Sequence, residues 1–166
     1  MSKRRIALGT LAVGLAAAAA VLRGVTRRFE IREPSMSPVL EPGDWVVGRK
    51  RSGVPERGNI VVFTDPTGSG MNLVKRVIGL PGERVAVVEG QVTIDDVVLA
   101  DRWATGITRP DGEWEIPEDH VWLLGDNRDR SRSDGRMLGP TPIDTIGWRV
   151  IARYWPRKRI STITPD

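Results

Sequence analysis

Two serines lie close together just after an apolar N-terminal run, in Pro34-Ser35-Met36-Ser37-Pro38. A serine hydroxyl becomes a useful nucleophile when a neighbouring base takes its proton. The chain offers few such bases: one histidine, His120, and the lysines Lys3, Lys50, Lys75 and Lys158. Lys3 lies in a charged N-terminus, Lys50 in Arg49-Lys50-Arg51 and Lys158 in Arg157-Lys158-Arg159. Only Lys75, in Asn72-Leu73-Val74-Lys75-Arg76-Val77, has apolar residues on both sides. Burial there would favour the neutral amine, which is the form that can accept a proton. In a two-residue alternation Leu73, Lys75 and Val77 share a face and Arg76 joins Val74 on the other. A lysine on an otherwise apolar face is out of place unless it has a task. His120, in Asp119-His120-Val121-Trp122, reads as a strand entrance. On residue types alone, Ser35 and Ser37 both remain candidate nucleophiles. Pro38 biases Ser37 toward an extended backbone.

The elements that must hold these residues are short and β-rich. The candidate strands are 44–48, 59–64, 72–79, 84–89, 91–94, 97–100, 120–124 and 145–154, rich in Val and Ile and bounded by Gly, Pro, Asp and Asn. Val92 to Leu99 reads as a hairpin turning at Asp95-Asp96. Residues 66–70 and 101–118 read as loops, and no second amphipathic helix is evident. The expected fold is mainly β, an antiparallel sheet or barrel-like catalytic domain preceded by one N-terminal transmembrane helix.

That helix is expected at Ile6–Leu22, an uncharged run that would span about 25 Å, at the short end for a bilayer. Its basic start and the Ala16–Ala20 tract also fit a cleavable signal peptide. The expected division is a basic N-terminus at 1–5, an anchor at 6–22, a basic connector at 23–33 and a β-rich peptidase domain at 34–166. The chain has no cysteine, which excludes disulfides and cysteine-ligated zinc. Its net charge is +4, but 25 basic and 21 acidic residues are interspersed, which disfavours a nucleic-acid partner. The cluster Arg23, Arg27, Arg28 and Arg32 adjoins the apolar run, where anionic lipid headgroups are the better match.

Three stretches resemble the type I signal peptidases. Pro34-Ser35-Met36-Ser37-Pro38-Val39-Leu40 with Pro42-Gly43-Asp44 looks like the nucleophile segment of that family. Arg57 to Phe63, followed by Lys75-Arg76-Val77-Ile78-Gly79-Leu80-Pro81-Gly82-Glu83, looks like its lysine segment. Gly125-Asp126-Asn127-Arg128-Asp129 with Ser131, Asp134, Gly135 and Arg136 looks like its last signature. The resemblance covers roughly Glu33 to Pro156, with the segments in the family's order.

The resemblance implies a membrane-bound serine endopeptidase that removes signal peptides through a Ser35/Lys75 dyad and an acyl-enzyme. It makes Ser35, the serine before the methionine, the nucleophile. Ser131 would hydrogen-bond and orient the lysine. Asp126, Arg76, Asp134 and Arg136 would be supporting charges, with Asp126 pairing with Arg76. Asn72, Leu73, Val74 and Met36 would border an extended substrate carrying small residues of the Ala-x-Ala type. The partners implied are preprotein signal peptides and membrane lipids, without metal or cofactor. The implied location is the plasma membrane, single-pass, with the catalytic domain outside the cytoplasm. The alternatives are a specialised pilus or conjugation maturase on the same scaffold and an inactive peptide-binding module.

Three features depart from the family pattern. Val39 replaces a usual threonine. Glu33 stands two residues before Ser35, where a serine hydroxyl often assists the oxyanion. The stretch Ser131 to Arg136 is one residue longer than usual, which makes Ser133 a rival to Ser131.

Overall fold

The computed structural model describes residues 24–165. The expected anchor, Ile6–Leu22, lies outside them. Among the described residues no helix is long and apolar enough to cross a membrane.

Two antiparallel sheets make the fold. The larger has eight strands. They are β1 (Thr26–Glu30), β2 (Trp45–Lys50), β3 (Ile60–Thr64), β4 (Asn72–Gly79), β9 (His120–Leu124), β10 (Thr141–Pro142), β11 (Ile146–Trp155) and β12 (Ser161–Thr162). Their order is β1-β2-β11-β3-β4-β9-β10, with β12 beside β11. The smaller sheet runs β7 (Val97–Val98), β6 (Gln91–Ile94), β5 (Arg84–Val88), β8 (Gly112–Glu115). A short α-helix, α1 (Gly135–Leu138), is a single turn capped by the Asp134 side chain.

The alternation expected for β4 holds. Leu73 and Val77 pack with Val61, Phe63, Val121, Leu123 and Ile146. On the opposite face Val74 packs against Ile31, Met36 and Leu40, and Ile78 joins the cluster of Val85, Val87, Trp122 and Leu124 that links the two sheets. The β6–β7 hairpin turns at Asp95 and Asp96, both at positive φ (49° and 67°). Such a backbone suits a two-residue hairpin, and Asp tolerates it better than most residues.

Two expectations are corrected. The basic connector at 23–33 contains a strand: β1 pairs along its whole length with β2. Phe29 supplies the reason, packing edge-on to Trp148 at 6.1 Å. Gly48 makes room for it, since a Cβ there would stand 2.9 Å from the Phe29 ring. Arg27 and Arg28 lie over the rings of Phe29 and Tyr154, so arginines read as a headgroup cluster also cover an edge strand. The loop expected at 101–118 contains β8, held by pairing with β5 and by Trp114 against Trp122 at 4.9 Å.

Candidate active site

Ser35 is the middle residue of a 3-10 turn, Pro34–Met36. Pro34 suits its start, because a fixed φ and a missing N–H cost nothing at the first helical position. Met36 anchors the turn in the core at 1% exposure. It therefore supports Ser35 from within, with its side chain packed among Ile31, Leu40 and Val46. On the other side the Ser35 carbonyl accepts from the Asn127 N–H at 3.0 Å. Gly125 is obligatory at this seam. A Cβ there would stand 2.3 Å from Ser131 Oγ and 2.6 Å from the Ser35 carbonyl oxygen.

β4 delivers Lys75 to the same place. Its ammonium donates to Ser35 Oγ at 2.9 Å and to the Val74 carbonyl at 3.2 Å. Both residues are buried, Ser35 at 8% and Lys75 at 4% exposure. Burial lowers the Lys75 pKa to about 8, with Asp134 opposing the shift and Arg136 adding to it. Ser37 points elsewhere and donates to Glu41 at 2.6 Å. Of the two candidate serines, only Ser35 meets the lysine. His120 faces Asp119 at 2.6 Å, at the far end of β9 from Gly125.

The last signature is a closed polar network. Asp126 accepts twice from Arg76, both bonds at 2.7 Å, and both side chains are buried. Ser131 donates to Asp134 at 2.6 Å and makes no hydrogen bond to Lys75. That corrects the expected direct contact. The Asp134 carboxylate also takes the Gly125 N–H and the Arg136 guanidinium, so it is the stronger acceptor within reach of Ser131. Arg136 ties Asp134 to the carbonyls of Arg109, Arg128 and Ser131. Ser133, the rival to Ser131, is exposed.

A family model described as signal peptidase, peptidase S26, matches residues 3–155. The chain belongs to this family. It is accordingly a serine endopeptidase of the signal peptidase type. A signal peptidase I of Leptolyngbya laminosa is 34% identical over 170 residues, covering 94% of this chain and 82% of that protein. A probable signal peptidase I-2 of Synechocystis is 34% identical over 82% of this chain and 66% of its own length. A probable thylakoidal processing peptidase 2 of Arabidopsis thaliana is 34% identical over 89% of this chain but only 45% of its own length. In three dimensions the chain is similar to a crystal structure of a signal peptidase I from Enterococcus faecalis V583. The TM-score is 0.50 and the identity 27%, over 58% of this chain and 96% of the other.

At the start of β4, where the resemblance would lay the substrate, Asn72 is exposed and Leu73 and Val74 are half-buried. Among the described residues β4 is paired along only one edge here. β3 takes Asn72 to Arg76, whereas β9 takes the other edge only from Arg76 onward. Glu33 is exposed, extended (φ −110°, ψ 149°) and gives the turn no side-chain cap.

Several site residues carried no expected role. Arg128, at 2% exposure, donates to the Gly125 carbonyl at 2.9 Å and to Thr108 at 2.6 Å, and pairs with Asp101. Its only signal was its place within the last signature. Asp44 lies buried between Arg153 and Arg159, each 3.3 Å away. Arg153 also donates to the Val39 carbonyl at 2.5 Å and Arg159 to that of Pro38 at 3.1 Å. Nothing in sequence spacing links these arginines to a turn more than a hundred residues earlier.

Proposed function

We propose that Ser35 is the nucleophile and Lys75 the general base of a peptidase that removes signal peptides from exported preproteins. The observation that carries this reading is the 2.9 Å contact between Lys75 Nζ and Ser35 Oγ in a buried setting. With its pKa near 8, roughly a tenth of Lys75 is neutral at pH 7. The neutral amine takes the Ser35 hydroxyl proton as Oγ attacks the scissile carbonyl. The resulting lysine ammonium then protonates the departing amine, leaving an ester on Ser35. A water gives a proton to the neutral amine and attacks the ester, and the lysine ammonium returns that proton to Ser35 Oγ as the acyl C–O bond breaks, freeing the enzyme. The Ser35 N–H serves the developing oxyanion. Ser131, Asp134, Arg136, Asp126 and Arg76 act through position and field.

The substrate adds as a strand along Asn72, Leu73 and Val74, whose outer edge lies short of β9, with small side chains of the Ala-x-Ala type before the cut. Ile6–Leu22 anchors the chain in the membrane among lipids, as the single pass of a domain outside the cytoplasm. The separate division at residue 34 is revised to include β1 in the peptidase domain.

Cleavage of a purified preprotein by the full chain in detergent tests the dyad. Ser35→Ala and Lys75→Ala should each lose on the order of 10⁴-fold in kcat. Ser37→Ala should retain most activity. The rate should climb about tenfold per pH unit below pH 8 and level off above it. An active Ser35→Ala variant, or a rate flat from pH 6 to 10 with chemistry limiting, overturns the assignment. A panel of signal-peptide substrates separates general processing from a maturase with few targets.

A further inference from the structure

A cavity of about 410 Å³ opens in the loop that follows Gly125, with Ser131 in its wall. Arg109, Arg128, Arg132 and Arg136 line it, with Asp129 and Ser131. Two of the guanidiniums are committed, Arg128 to Asp101 and Arg136 to Asp134. Arg109 and Arg132 are exposed, and among the described residues their side chains hold no ion pair or hydrogen bond. The Asp129 carboxylate packs on Gly106, where an added Cβ would stand 2.5 Å from it. The cavity is thus a basic bowl with two uncommitted cations at its rim.

Topology places this bowl on the exit path of the substrate. A strand added along Asn72–Lys75 cannot continue past Lys75, because β9 occupies that edge from Arg76 onward. β9 is antiparallel to β4 and pairs Leu124 with Arg76, so its continuation into Gly125 runs back beside Lys75. The loop from Gly125 to Arg136 therefore stands where the chain beyond the scissile bond must leave the sheet. Ser131 joins the two regions: it lines the bowl and packs on Gly125, whose other neighbour is the Ser35 carbonyl.

We propose that this arginine-lined cavity is a subsite for the mature side of the substrate, and that it selects acidic residues in the first few positions after the cut. The proposal rests on the assignment of Ser35 and Lys75 as the reacting pair. Arg109 and Arg132 bind the incoming carboxylates, while Arg128 and Arg136 stay with their own acids and set the positive floor.

The test uses the full chain in detergent and preproteins with one signal peptide, differing only at the second to fourth residues after the cut. Those residues are Glu-rich, Gln-rich or Lys-rich. The Glu substrate should exceed the Lys substrate in kcat/KM by roughly tenfold at low salt, and the ratio should collapse in 0.5 M salt, since rim charges are solvated and screened. Arg109→Glu combined with Arg132→Glu should invert the ratio. The same three substrates are titrated against Ser35→Ala, which reads their affinity without turnover. A Glu-to-Lys ratio within twofold in both measurements overturns the subsite, as does a ratio that persists in the double Glu variant. Cleavage by Ser35→Ala overturns the dyad instead, and the titration still decides the subsite.

Discussion

Replacing Lys75 by methionine should abolish cleavage and yet stabilise the fold at neutral pH. Lys75 is 4% exposed, and burial lowers its pKa from 10.5 to about 8. Below pH 8 the amine is protonated in both the folded and the unfolded chain, and the folded chain carries that charge at a cost. Between about 8 and 10.5 the unfolded chain binds more protons than the native one, so native stability rises with pH across that window. The full rise is about 3 kcal/mol, at about 1.4 kcal/mol per pH unit. Methionine is similar in length, adaptable and uncharged, so its variant lacks this term. It also loses the bonds to Ser35 and Val74, at about 1 kcal/mol each. Lys75→Met should therefore be about 1 kcal/mol more stable than the parent at pH 7 and about 2 kcal/mol less stable at pH 11. Urea denaturation of both full chains in non-ionic detergent, followed by the fluorescence of buried Trp122, measures the difference at each pH. A difference independent of pH from 7 to 11 would refute the reasoning. So would one that falls in the opposite direction, which would mean that Asp134 outweighs burial.

Asp126→Ala should cost about 3–5 kcal/mol in the same denaturation assay, because it leaves the Arg76 guanidinium buried without its carboxylate; a loss under 1 kcal/mol would mean that water or Trp103, 4.9 Å from that guanidinium, takes over. Glu33→Ser should leave kcat unchanged or raise it, because an exposed carboxylate that caps nothing gives way to a hydroxyl donor, and one oxyanion donor is worth about 3 kcal/mol at most here; a large fall in kcat would show that Glu33 holds the turn. A soluble form starting at Gly24 should fold and cut peptides, whereas one starting at Ile31 should lose about 2 kcal/mol or more through removal of Phe29 and the β1 ladder. Equal unfolding midpoints for the two forms would deny β1 its structural role.

The sequence by itself determined the chemistry and the grain of the fold. Lysine scarcity and apolar neighbours singled out Lys75, because a buried lysine can be recognised from its local setting. Val- and Ile-rich runs bounded by turn residues located β4, β5, β6 and β9, and the Asp95-Asp96 turn marked the β6–β7 hairpin, since these signals are local. Serine identity was different: Ser35 and Ser37 are equivalent in composition. The resemblance chose Ser35, and the physical reason lies in the turn geometry, which sends Ser35 to Lys75 and Ser37 to Glu41. β1 and β8 escaped notice because each has a single large apolar residue, Phe29 or Trp114, whose partner comes from another strand. Ser131 looked like a partner for the lysine until the fold put a hydrogen-bonded carboxylate, Asp134, beside it. The Asp44–Arg153–Arg159 clamp and the arginine-lined cavity were invisible for the same reason. The clamp joins residues more than a hundred positions apart, the cavity brings Arg109 to the stretch 128–137, and charge partners are chosen by proximity in space, which no local pattern encodes.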